Sequence, residues 1–106
     1  VQTEIAELLH CLGYIYLRQG QLRRAAVLLM LAARDHASAP LLRTLALALI
    51  GCGLGEQATQ VLDRAEALDP AGAALPLNRV LRARALLALG RREEARIAFR
   101  AVRDAA

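Results

Sequence analysis

The chain has no lysine and no tryptophan, one serine (Ser38), one asparagine (Asn78) and two histidines, His10 and His36. That inventory excludes most familiar chemistry. No Ser, His and Asp arrangement can be assembled, and no glycine-rich loop is followed by the Lys that a phosphate loop needs. Asp35-His36 falls at a helix end, where a histidine beside the last carbonyls reads as a cap. No enzyme, cofactor or metal site is expected.

Cysteine is scarce too. Cys11 and Cys52 stand 41 positions apart, with no CxxC and no His pair at metal-ligand spacing. Free thiols buried in apolar helices are the expectation, and a disulfide-stapled secreted domain is not. Long hydrophobic runs are also missing. The longest uncharged stretch, Thr44 to Gly55, has 12 residues, three of them glycine. A membrane-spanning helix needs about 18 to 20, so no membrane insertion is expected. The opening VQTEIAELL carries two acids and no basic segment, so it does not read as a secretory leader, and Val1 in place of Met is what a trimmed chain would show.

What is present is aliphatic and arginine-rich. Hydrophobic residues make up 57% of the chain, above the roughly 45 to 50% of an ordinary soluble domain. A chain of 106 residues forms one domain that hides about 60 to 65% of its extended surface. The surplus apolar side chains must line a groove or an interface. All 14 basic residues are Arg, and between Arg79 and Asp104 eight of them face three acids, a local charge of +5. That asymmetry is the one hint of nucleic acid. Only Tyr14, Tyr16 and Phe99 could stack on bases, and all three fit helix faces, so nucleic-acid binding is disfavoured. Arg92, Arg96, Arg100 and Arg103 form one stripe, expected as a solvated outer face.

One arrangement recurs three times: a glycine followed five positions later by alanine, at Gly20/Ala25, Gly53/Ala58 and Gly90/Ala95. The spacings are 33 and 37 residues. Glycine suits the left-handed residue that ends a helix, and alanine suits a close approach of the returning helix. Around these turns the pattern predicts six helices, about 2–18, 21–35, 41–51, 56–68, 77–89 and 91–104, with no period-two alternation. The fold class is all-α: three tandem helical hairpins, covering about 6–38, 39–72 and 76–106 of a single domain 1–106. In the first copy Leu12, Gly13 and Ala25 are expected to hold the hairpin together. In the second, Leu42, Leu45, Ala46 and Leu49 face Ala58, Leu62 and Ala65, with Pro40 opening the copy and Asp69-Pro70 closing it. The third carries Ala95, Phe99 and Val102 on its return helix. Arg79 and Arg82 occupy its large apolar slots, which requires a rotated or exposed helix, or a carboxylate to meet them.

The run from Leu9 to Tyr16, LxxLGYxY, with the small residues after each turn and the ALDP stop at Ala67 to Pro70, resembles the tetratricopeptide pattern. That resemblance implies a short right-handed superhelix whose concave face is lined by first-helix side chains. Placed on this sequence, the partner-binding residues it implies include His10, Tyr14 and Leu17 in copy one, Arg43, Leu47 and Ile50 in copy two, and Val80, Arg84 and Leu87 in copy three. The groove is apolar with a few arginines. It lacks the lysines and asparagines with which the chaperone-tail-binding branch grips a carboxylate, and suits a partner's apolar helix instead.

The chain is similar to the small tetratricopeptide chaperones of bacterial type III secretion, the YscY-like group. This implies a cytoplasmic protein, acting at the inner face of the inner membrane, that binds a small secreted or export-associated polypeptide as a heterodimer, keeps it soluble until export, and engages the export gate. Self-association in the absence of the partner is the companion expectation. The competing reading is an interaction module or self-associating scaffold cut from a larger assembly or regulatory protein.

Overall fold

A computed structural model describes residues 2–105. They form six α-helices: α1 (Gln2–Arg18), α2 (Leu22–Asp35), α3 (Ala39–Gly51), α4 (Gly55–Leu68), α5 (Pro76–Ala88) and α6 (Arg92–Ala105). One short 3-10 turn, Pro70–Ala74, lies between α4 and α5, and there is no strand among the described residues. Helices pair in chain order, α1 with α2, α3 with α4 and α5 with α6; α3 then packs on the first pair and α5 on the second. Adding pairs side by side makes an elongated stack, 43 × 28 × 21 Å.

The three hairpin turns are built alike. In the first, the Gly20 N–H donates to the Leu17 carbonyl (3.1 Å) and the Gln21 N–H to the Tyr16 carbonyl (2.9 Å). Gly53 and Leu54 repeat those bonds to Ile50 and Leu49, and Gly90 and Arg91 repeat them to Leu87 and Leu86. This is the Schellman closure, and it needs a left-handed residue at its centre. The glycines have φ of +78°, +78° and +79°. Nothing lies within 4 Å of where their Cβ atoms would be, so the requirement is on the backbone alone.

Five residues on, Ala25, Ala58 and Ala95 are essentially inaccessible, at 0, 0 and 1%. Within the first pair the facing residue of α1 is Gly13, where an added Cβ would sit 2.7 Å from the Leu29 side chain. The same spacings place Ala46 and Ala83 in the other pairs, both fully buried. Small residues thus line the contact within every hairpin, and larger ones, Leu29, Leu42 and Leu62, fill the space beside it at 0% exposure. A buried leucine stabilises the fold by roughly 1.5 to 3 kcal/mol relative to an exposed one, so these three carry much of the core.

Helix ends follow capping chemistry. Ser38 accepts from the Leu41 N–H at 3.3 Å, which starts α3 two residues ahead of the expected Leu41 and leaves Pro40 in the first turn. Asp69 ends α4, and its carboxylate accepts from the Gly72 N–H at 3.1 Å, folding the expected loop after Pro70 into the 3-10 turn.

Several side chains depart from expectation, mostly at the ends of the stack. Leu12 is 38% exposed and Phe99 37%, because no further helix covers α1 on one side or α6 on the other. Cys11 is exposed and Cys52 half-buried, in place of two buried thiols. Cys11 lies on the open side of α1, and Cys52 caps α3 in a turn.

The arginine problem in α5 is solved inside the chain. Arg79 is exposed, beside Ala74, Pro76 and Val102. Arg82 is half-buried and reaches Asp63 at 2.7 Å and Glu66 at 2.9 Å, both on α4. Burial works against its charge, and the two carboxylates outweigh it and push its pKa above the ordinary arginine value. Asn78, 1% exposed, donates to Glu66 at 3.1 Å and to the Ala73 carbonyl at 3.3 Å. The third hairpin therefore meets the second through this polar seam and through an apolar contact beside it, where Leu81 and Ala85 are buried in the common core and Gly55 lies against Ala85, Ala88 and Leu89.

Substitution separates backbone from packing requirements. Gly53→Ala is expected to cost about 1–2 kcal/mol through its positive φ alone. Gly13→Ala is expected to cost about 1–3 kcal/mol by crowding Leu29. Urea denaturation measures both, and a neutral Gly13→Ala would show that the α1–α2 contact has room to spare.

Candidate functional site

The 33- and 37-residue spacings align the nine expected partner-binding residues in three rows running from α1 across α3 to α5. The rows are His10, Arg43 and Val80; Tyr14, Leu47 and Arg84; and Leu17, Ile50 and Leu87. With α3 stacked on the first pair and α5 on the second, each row falls at equivalent positions of successive first helices.

The first row is largely used by the fold. His10 Nε2 lies 3.3 Å from the Thr44 hydroxyl. That hydroxyl donates its proton to the Pro40 carbonyl at 3.0 Å, so it accepts from His10, which places the ring proton on Nε2. Partial burial lowers the His10 pKa below the usual histidine value, so the ring is neutral at pH 7. Arg43 is 12% exposed and bonds Asp69 at 3.0 Å. That bond, helped by the Gly72 N–H, holds the Asp69 carboxyl below the usual range. A Cβ on Gly72 would collide with both Arg43 and Asp69. Arg43 Nε is buried without a partner. Val80 is half-buried.

The second and third rows are more open toward their ends. Tyr14 is 47% exposed, with Arg18 Nη1 3.5 Å from its hydroxyl. Leu47 is half-buried and Arg84 exposed. Leu17 is half-buried, Ile50 is 9% exposed and belongs to the core, and Leu87 is 52% exposed. Two expectations change accordingly. Ile50 is not a free apolar contact, because α3 lies in the middle of the stack with α2, α4 and α5 packed against it and Ile50 is buried in the core; Arg43 is not a free orienting charge, because Asp69 already neutralises it. What this side presents openly is Tyr14 toward one end and Arg84 with Leu87 toward the other.

Most of the surplus apolar surface lies elsewhere. At the first end of the stack, Ile5, Leu8, Leu12 and Ile15 project from α1, and a groove of about 410 Å³ is lined by Leu12, Tyr16, Arg23, Arg24, Val27 and Leu28. The signal was in the sequence, since residues 5, 8, 12 and 15 form a helical stripe, but the register drawn through Gly13 gave α1 a single buried face. At the other end, Arg92, Arg96, Arg100 and Arg103 border a hollow of about 650 Å³ with Leu87 and Phe99, so this arginine stripe edges an apolar patch.

No protein-family model, curated protein or solved structure matches the chain. Among the described residues no helix is long and apolar enough to cross a membrane, and no cluster of His, Cys, Asp and Glu could hold a metal ion.

The Arg43–Asp69 pair makes a pH-dependent contribution whose sign follows from the depressed Asp69 pKa. It is fully present above the unfolded value, about 3.9, and lost as pH falls through the folded value. Thermal melts of the wild type and Asp69→Asn are expected to differ by a constant amount from pH 5 to 7 and to start converging only as pH falls below about 4, toward the folded value. A difference unchanged at pH 2 would show that the pair does not form.

Proposed function

We propose that this chain is a tetratricopeptide-type protein-binding domain, with three hairpins in a short right-handed superhelix. On this reading it holds the apolar face of a partner helix on the side that carries Tyr14, Leu47, Arg84 and Leu87. The observation that carries the proposal is the second row with Leu87 beside it: an exposed aromatic ring on α1, a half-buried leucine on α3, and an arginine and an exposed leucine on α5. Such a surface offers apolar anchors with one charge to set direction, the usual means of gripping an amphipathic helix. The repeated Gly-x4-Ala turns support the tetratricopeptide assignment, since one closure recurs at nearly one interval.

The partner class follows from the resemblance to type III secretion chaperones: a small secreted or export-associated polypeptide, kept soluble as a heterodimer until export and delivered to the export gate. The mechanism is binding alone. Covering the client's apolar helix lowers the free concentration available for self-assembly. An acidic residue on the client would pair with Arg84, which has no ion-pair partner among the described residues.

Co-expression with candidate clients tests this. A one-to-one heterodimer is expected, and Tyr14→Ala and Leu87→Asp are each expected to weaken it about tenfold, as loss of a central apolar anchor does. Both side chains are exposed, so helicity should be unchanged. Clients bound equally well by wild type and both variants would remove this face from the account.

A further inference from the structure

We propose that the α1–α2 end of the stack is a self-association surface, on which two copies of this chain pair about a two-fold axis lying across the helices. This surface is separate from the side that carries Leu47, Arg84 and Leu87 and does not rest on the client reading.

Ile5, Leu8, Leu12 and Ile15 are 52, 67, 38 and 50% exposed. One hairpin on, the equivalent positions of α3 include Leu41, Leu45 and Ala48, exposed by only 2, 2 and 0%. That face of α3 rests on the preceding pair, and Gly51 beside it lies so close to Leu22 of α2 that a Cβ there would clash. The face of α1 is the same kind of surface, more apolar than its buried counterparts, and among the described residues nothing covers it. An exposed apolar stripe of this extent calls for a partner.

Charge selects the second copy as that partner and sets its direction. Arg24 borders the groove at the turn end, beside Leu12 and Leu28. Asp35 borders a second, smaller hollow between α1 and α2 toward their other end, beside Ile5 and Leu31. On α1, Glu4 and Arg18 likewise stand at opposite ends. A two-fold axis parallel to the helices would set acidic end on acidic end. An axis across them lays α1 antiparallel to the second copy's α1 and α2 antiparallel to its α2, so Arg24 meets the second copy's Asp35 and Glu4 meets its Arg18. The two pairings agree in height. The midpoint of Glu4 and Arg18 is Cys11, that of Arg24 and Asp35 falls between Leu29 and Met30, and Gly13 stands level with Ala25 and Leu29. A patch complementary to itself in this way closes as a dimer and cannot grow further.

The interface is modest. Helices of 17 and 14 residues are about 21–25 Å long at 1.5 Å per residue, and two of them about 10 Å apart bury on the order of 1,000 Å² in a dimer. That is the lower bound of a specific interface, so a micromolar dissociation constant is expected.

Sedimentation equilibrium on the full chain is expected to show monomer and dimer only. Leu8→Glu should abolish the dimer with helicity retained. Arg24→Asp and Asp35→Arg should each weaken dimerisation about tenfold, since each creates two like-charge contacts, and the double variant should recover to within about threefold. Both changes place the sign that α2's dipole favours at its ends, so loss of the dimer would not reflect loss of the helix. A short bis-maleimide should join Cys11 to the second copy's Cys11, and Cys11→Ser, with Cys52 left in place, should prevent it. A monomer at about 100 µM, open-ended oligomers, a dimer that survives Leu8→Glu, or a double variant as weak as the singles overturns the proposal.

Discussion

Everything in this fold depends on how closely two helices can approach. Gly13 against Ala25 and Leu29, with Ala46 and Ala83 at the matching positions of the next pairs, lets each hairpin close with little side chain between its backbones. A glycine at φ near +78° makes each reversal short enough to keep that register. Large side chains are thereby pushed to the flanks of each pair. There they become the surface onto which the next pair stacks, which is the logic of a repeat array.

Stacking is not equally strong along the chain. The second hairpin joins the first through aliphatic contacts, and α3 has eight buried residues. The third joins the second through Leu81 and Ala85, which share the same core, and through the polar group of Arg82, Asp63, Glu66 and Asn78, and α6 buries only Ala95. A paired charge network orients a helix well but adds little net stability once its desolvation is counted. The molecule therefore has a firm centre, a partly polar joint, and two open ends of different character: one aliphatic stripe and one apolar patch edged by arginines.

Much of this was legible in the sequence, for a physical reason. Turn glycines and seam alanines are dictated locally, by backbone conformation and by the absence of side-chain volume, so their spacing located all six helices within two residues. The partners of Arg82 were not legible, because Asp63 and Glu66 lie on another helix and nothing local marks them as its partners. Nor was the exposure of Leu12, Cys11 and Phe99. Those residues occupy positions that would be covered inside an array, and they are open because they lie at its ends. The candidate site followed the same rule: the rows of first-helix residues were readable from the repeat interval, while the consumption of Arg43 by Asp69 and the inward turn of Ile50 needed coordinates.

Cohesion comes from the small-residue seams and the aliphatic core around α3, and the third hairpin, whose α6 buries only Ala95, is held more loosely. Native-state hydrogen exchange measures that distribution directly, helix by helix. The amides of α3 and α4 are expected to exchange slowest, near the global unfolding limit, and those of α6 fastest. Protection in α6 equal to that in α3 would contradict this description of the stack.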